Sequence, residues 1–207
     1  MDKGVSHRLH KWEVALGIVL ALVLLSGGLS LQSQAALAQD VVRLHVLANS
    51  DTEDDQALKL LVRDAVLAQA TEVLRGVTTQ EQATQTLGNN AQAIEETAQT
   101  VVDAQGYDYG VTVSLQFEDF PTKDYEDFSL PAGEYLSLQV IIGEGKGQNW
   151  WCVAFPPLCT TATTDIAVTA MAVGLDEGEV ALITKQEGYE LRFKTMELWG
   201  ELAQYFE

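Results

Sequence analysis

A chain of 207 residues, 47% of them hydrophobic and 20% charged, is long enough to bury a real core and too apolar to be disordered. Its formal net charge of -18 and pI near 4.3 repel phosphate backbones and anionic headgroups. Charge-driven binding to nucleic acid or to a lipid surface is excluded, and a neutral or basic protein partner is favoured.

The N-terminus reads as a leader. Lys3, Arg8 and Lys11 precede the apolar run Val14 to Leu25, and Gln34-Ala35-Ala36-Leu37-Ala38 supplies small residues in an Ala-x-Ala arrangement. Residues 1–38 are therefore expected to be a secretory signal cut after Ala38. An uncleaved single-pass anchor, lengthened by Leu29 and Leu31, is the alternative. The remainder, 39–207, reads as one exported domain with no internal repeat, low-complexity stretch or linker. Export makes a bridge between the only two cysteines, Cys152 and Cys159, the expectation across the Pro156-Pro157 turn. Two reduced, buried thiols are the alternative.

Val42, Leu44 and Val46 alternate with Arg43 and His45, the period of a half-buried strand. Ser50 and Glu53 have capping-box spacing, so a helix is expected from Asp51, with Asp55 and Lys59 spaced for a supporting pair. Leu58, Leu61, Val62, Ala65 and Val66 give its apolar stripe, and Gly76 its stop. Thr79 with Gln82 opens a second helical stretch, which Gly88-Asn89-Asn90 is expected to divide and Gly106 to end. Val111 to Phe117 and Tyr135 to Ile142 alternate as paired strands. Phe120 to Pro131 between them reads as an ordered loop with exposed aromatics.

Gly143 to Cys159 concentrates chemistry: both cysteines, two of the four tryptophans and two of the four prolines, behind a glycine-rich turn. Asn149 to Phe155 is a strand, so one of Trp150 and Trp151 is expected in the core and the other outward as a contact residue. The stretch 160–178 fits loop, strand or short helix equally. Tyr189 to Phe193 is strand-like and Lys194 to Tyr205 a terminal helix. The architecture expected is α+β: a mostly antiparallel sheet of four or five strands, two or three helices on one face, and a C-terminal helix.

No constellation makes an enzyme. His45 is the one histidine after the leader, so catalysis would need it with Asp51 or Asp55 and Cys152 as nucleophile; a hydrogen-bonded surface or edge histidine is the plainer reading. One His with two Cys fits no common closed zinc site. In Asp51-Thr52-Glu53-Asp54-Asp55-Gln56, Gln56 replaces the glycine of a calcium loop. Gly143-Glu144-Gly145-Lys146-Gly147 lacks the spacing and hydroxyl of a P-loop. No cofactor, metal or catalytic residue is expected.

Arg43-Leu-His45-Val-Leu-Ala-Asn49-Ser50-Asp51, then Asp55-Gln56-Ala-Leu-Lys59, Val62-Arg63-Asp64, Phe120-Pro-Thr-Lys-Asp-Tyr125, Leu130-Pro-Ala-Gly-Glu-Tyr135 and Gly143 to Cys159 resemble stage II sporulation protein R. The resemblance runs over Val41 to Cys159 and again over Tyr189 to Gly200. It implies a protein exported from the forespore into the space between two membranes. There it would activate a membrane-embedded aspartic protease of the mother cell, which removes the pro-sequence of an early sigma factor. On that reading Pro121, Lys123, Tyr125, Lys146, Asn149, Trp150 and Trp151 are the expected partner-binding residues, and the catalytic aspartates belong to the partner. A secreted septal-wall hydrolase, or a glycan-binding module with Trp150 or Trp151 as sugar platform, is the competing expectation.

Overall fold

The period-two run from Val42 forms β1 (Val42–Leu47), and the apolar stripe behind it forms α1 (Glu53–Val73). The structure is a computed structural model that describes residues 16–18, 34, 36–125, 128–159, 166–172 and 174–184. Thr52, not Ser50, caps α1 by accepting from the Asp55 backbone N–H, so the helix begins at Glu53. Gly76 follows the helix at φ +80°, the left-handed conformation its lack of a Cβ permits.

The second helix, α2 (Gln80–Ala104), runs unbroken through Gly88. This corrects the expected division: a helical glycine costs about 1 kcal/mol relative to alanine, whereas burying each of Leu87 and Ile94 in the core returns about 1.5–3 kcal/mol. After it come β2 (Val111–Phe120), a short ribbon of β3 (Lys123–Asp124) and β4 (Ser129–Leu130), β5 (Gly133–Ile142) and β6 (Asn149–Phe155). Two short helices, α3 (Ile166–Ala172) and α4 (Glu177–Ile183), follow. Asp176 and Glu179 form the capping box of α4, a Asp-x-x-Glu spacing legible in the sequence that the open reading of 160–178 passed over.

The long strands form one sheet in the order β2, β5, β1, β6. Two of its pairings are antiparallel, β2 with β5 and β1 with β6, while β1 and β5 run parallel with Leu44 beside Leu138. The fold is α+β with a mostly antiparallel sheet. One face, built from Val42, Leu44, Val46, Leu136, Leu138, Val140 and Ile142, packs on Leu58, Val62 and Val66 of α1 and Leu87, Ile94 and Ala98 of α2.

The other face is covered too. Leu37, Val41, Phe120, Phe128, Leu130, Tyr135, Val153, Leu158, Leu175, Val180 and Ile183 form a second apolar cluster there. The half-buried strand expected from the alternation is thus buried on both sides, with Arg43 fully enclosed and His45 only 8% exposed. The aromatics of Phe120 to Pro131 point inward, because the β3–β4 ribbon folds back as part of that second layer. Contacts close within Ala36–Lys185 as one unit. Most of residues 1–35, and the strand expected at 189–193 and the helix expected at 194–205, lie outside the described residues, and no helix among those described is long and apolar enough to cross a membrane.

Candidate functional site

The turn after β5 is fixed by the junction of β1 and α1. Asn49 Oδ1 accepts from the Glu144 N–H at 3.0 Å, and its Nδ2 donates to Asp55 Oδ2 at 2.9 Å. Ser50 Oγ donates to the same carboxylate oxygen at 2.5 Å. Asp51 accepts from the Gln148 N–H at 2.7 Å, and Lys59 Nζ donates to the Gln148 carbonyl at 2.9 Å and to Gln56 Oε1 at 2.6 Å. Lys59 thus reaches the turn rather than Asp55, the partner its spacing suggested. The backbone joins in, Lys146 N–H donating to the Asn49 carbonyl and Gly147 N–H to that of Ala48. At Gly143, which also has φ +59°, and at Gly147, a Cβ would collide with Asn49 Oδ1 and with the Ser50 carbonyl oxygen respectively. Glycine is required at these positions by the close approach, and the side chains of Glu144, Lys146, Gln148 and Asn149 are exposed to solvent.

The carboxyl at the centre of this junction shows its electrostatics. Burial pushes Asp55 up, but hydrogen bonds from Ser50, Asn49, Tyr109 and Thr52 together outweigh burial and hold it below its ordinary value. Burial lowers Lys59, a shift that Asp51 opposes and Arg63 adds to. The exposed pair Glu144 and Lys146, 2.9 Å apart, shift each other by their hydrogen bond, the acid down and the base up.

On the sheet face away from α1 and α2, a polar row crosses all four strands. Gln116 donates to Gln139 Oε1 (3.0 Å), and Gln139 donates to Glu118 Oε1 (2.6 Å). Glu118 lies 3.1 and 3.3 Å from His45 Nδ1, and His45 Nε2 lies 2.9 Å from Asn149 Oδ1. Beside the row, Arg43 is sandwiched against the rings of Phe120 (4.1 Å) and Tyr135 (5.2 Å) and donates from Nη2 to the Tyr125 hydroxyl at 2.9 Å. Its Nε and Nη1, and the Oγ of its cross-strand neighbour Ser137, have no hydrogen-bond partner among the described residues. Tyr125 donates onward to the Trp151 carbonyl at 3.1 Å and stacks on Phe128. Burial raises the Tyr125 phenol and pushes that of Tyr135 up to about 12, with Arg43 opposing the shift in both.

The seven residues expected to bind a partner divide. Lys123, whose Nζ lies 5.8 Å from the Trp151 ring, Tyr125, Asn149 and Trp151 gather at the β6 end of this face, with Pro121 exposed on the connection from β2. Lys146 stands apart at the turn, and Trp150 faces the opposite side beneath the Arg63 guanidinium at 4.9 Å. Neither tryptophan is presented bare, as the core-and-contact expectation required: Trp151 is half-buried against the second cluster and Trp150 against the first. Asn49, Tyr109, Glu118 and Gln139, which hold these networks together, carried no sequence signal as a group because their partners are distant in the chain.

His45 is a buried residue of a central strand, not the surface or edge histidine expected, and its carboxylate is Glu118 rather than Asp51 or Asp55. Both of its ring nitrogens are engaged, and among the described residues no hydroxyl or thiol is bonded to it. Cys152 and Cys159 are joined as a disulfide with Cα atoms 6.2 Å apart, which removes the one conceivable thiol nucleophile.

Residues 38–165 match the family model of stage II sporulation protein R, which takes in β1 through β6, the glycine turn and both cysteines, and stops short of 189–200. The chain belongs to that family. A stretch of 123 residues is 37% identical to the stage II sporulation protein R of Bacillus subtilis (strain 168). It covers 59% of this chain and 55% of that relative, so the match spans about half the relative's length. No solved structure matches the chain. Within the matched stretch, Asn49, Ser50, Asp51 and Lys59 fix the glycine turn, and Arg43 and His45 lie on the second face.

Proposed function

We propose that this member of the stage II sporulation protein R family is an exported signalling protein rather than an enzyme. Made in the forespore, it passes into the space between the two membranes and switches on a membrane-embedded aspartic protease of the mother cell. That protease then removes the pro-sequence of an early sigma factor. The observation that carries this reading is the family match over the whole sheet. Three features support it: a leader with Lys3, Arg8 and Lys11 ahead of an apolar run, a chain of net charge -18, and a His45–Glu118 pair bonded to no nucleophile. In this reading Pro121, Lys123, Tyr125, Asn149 and Trp151 form one candidate contact patch, with Lys146 and Trp150 outside it.

The test is co-expression of this protein with its cognate protease and pro-sigma factor in a host that does not sporulate, following cleavage with and without residues 1–38. Cleavage that needs both the exported protein and the protease's own aspartates is the expected result. A folded, exported protein that leaves the pro-factor intact beside a competent protease would overturn the reading and bring a wall hydrolase forward.

A further inference from the structure

A four-stranded open sheet has two edges, and unpaired edge N–H and C=O groups recruit other strands unless something covers them. Among the described residues each edge of this sheet meets side chains over part of its length. On β6, the outward Trp151 carbonyl accepts from the Tyr125 hydroxyl and the outward Val153 N–H donates to Cys159 Sγ at 3.2 Å. On β2, α2 covers the first half: Val111 N–H donates to Gln99 Oε1 at 2.8 Å and Val113 N–H to Glu95 Oε2 at 2.9 Å. Leu115, Phe117 and Asp119 continue the same outward phase, and among the described residues no side chain or strand meets their N–H groups. Phe117 is 66% exposed at the centre of this open stretch.

We infer that the open edge of β2 from Leu115 to Asp119 is a docking site for an extended, basic segment of a partner protein, which adds to the sheet as a fifth strand. The row of unpaired backbone groups dictates an extended occupant, because only a strand matches their spacing. Charge dictates its sign. Asp119 lies directly opposite Glu134 on β5, two exposed like charges on the Phe117 side of the sheet, and neither forms an ion pair among the described residues. A second copy of this chain would bring the same acids to the edge and a net charge of -18 with them. The side-chain period then sets the occupant's pattern: an apolar residue opposite Phe117, and Lys or Arg two positions away opposite Asp119. That the partner is the protease rests on the function proposed above; the edge itself does not.

Two measurements on the full exported protein decide it. The first is an NMR titration with the blocked peptides Lys-Thr-Val-Thr-Lys and Glu-Thr-Val-Thr-Glu. The basic peptide is expected to shift the amides of Leu115, Phe117 and Asp119 and to bind about tenfold tighter than the acidic one. Phe117→Pro, which removes the outward N–H without breaking a bond to β5, abolishes those shifts, while Phe117→Val keeps them. Should the proline variant fold poorly, Asp119→Lys with Glu134→Lys, both at exposed positions, is expected to reverse the preference between the peptides. The second is the co-expression assay, where Phe117→Pro is expected to cut processing by about tenfold and Phe117→Val to leave it within about twofold. Absence of shifts with either peptide overturns the proposal. So does amide exchange at Phe117 and Asp119 as slow in the free protein as at Val111 and Val113, since the edge would then already be covered. If wild-type protein drives no processing, the function proposed above falls, and the titration still decides the edge.

Discussion

Asp55 Oδ2 accepts from both Asn49 and Ser50, and its removal tests how much of the molecule hangs on the β1–α1 junction. Asn in its place keeps one carbonyl oxygen for Asn49 Nδ2 and the Ser50 hydroxyl but loses the charge that strengthens both bonds, and puts an amide N–H₂ where the second carboxylate oxygen stood. Asp55→Asn is expected to lower unfolding free energy by about 2 kcal/mol at pH 7, measured by urea denaturation. Because the folded carboxyl is held below its ordinary 3.8, its contribution is fully present above that value and is lost as pH falls through the folded one. The gap between wild type and Asp55→Asn should therefore stay constant from pH 7 to about pH 5 and close only below 3.8. Arg43 is the opposite case, a fully buried guanidinium with two unpartnered nitrogens and no carboxylate among its hydrogen-bond partners. Replacing such a charge with an apolar chain of similar length is commonly neutral or stabilising, so Arg43→Met is expected to leave stability unchanged or raise it by up to about 2 kcal/mol. A loss of that size in the same denaturation experiment would show that the contacts with Phe120, Tyr135 and Tyr125 outweigh desolvation.

At the scale of elements, two glycines behave in opposite ways for reasons of position. Gly88 lies inside α2 with Leu115 Cδ1 at 3.8 Å from where a Cβ would sit, an ordinary contact. Gly88→Ala is expected to stabilise the protein by about 1 kcal/mol through helix propensity. Gly147→Ala places its Cβ on the Ser50 carbonyl oxygen and must push the turn off the end of β1. A loss of about 3 kcal/mol is expected, read from thermal and urea unfolding of the two variants side by side. These positions also show which element signals were legible. The periods of β1, β2, β5 and β6 and the glycines closing both long helices were readable locally, because side-chain alternation and left-handed backbone are properties of a few adjacent residues. Gly88 misled because breaker chemistry is a weak local preference that the burial of Leu87 and Ile94 overrides.

For the whole molecule, the boundary of the folded unit bears on the leader. Leu37 is fully buried in the second cluster beside Val41, within the helical residues 36–40. A cut after Ala38 removes it, and burial of one leucine is worth about 1.5–3 kcal/mol. Protein beginning at Gln39 is therefore expected to be less stable than protein beginning at Ala36 by about 2 kcal/mol in matched denaturation curves. N-terminal sequencing of the exported protein then tells which form the cell makes. Equal stability of the two forms would place Leu37 outside the working core.

The sequence alone determined the strand and helix segments, the helix-covered face of the sheet, the acidic surface and the family resemblance, because each is written in residues close together or in composition. It also located the cysteine pair, since only one pairing exists. The tertiary structure alone decided that β1 is central and covered on both faces, so that Arg43 and His45 are interior groups. It decided that His45 meets Glu118 and Asn149, that the glycine turn is bound to Asn49, Ser50 and Asp51, and that Trp150 and Trp151 serve opposite layers. Strand order and second-layer cover arise from pairings between segments far apart in the chain. No local period records which strand becomes an edge, so the open stretch of β2 among the described residues could be found only from the sheet order.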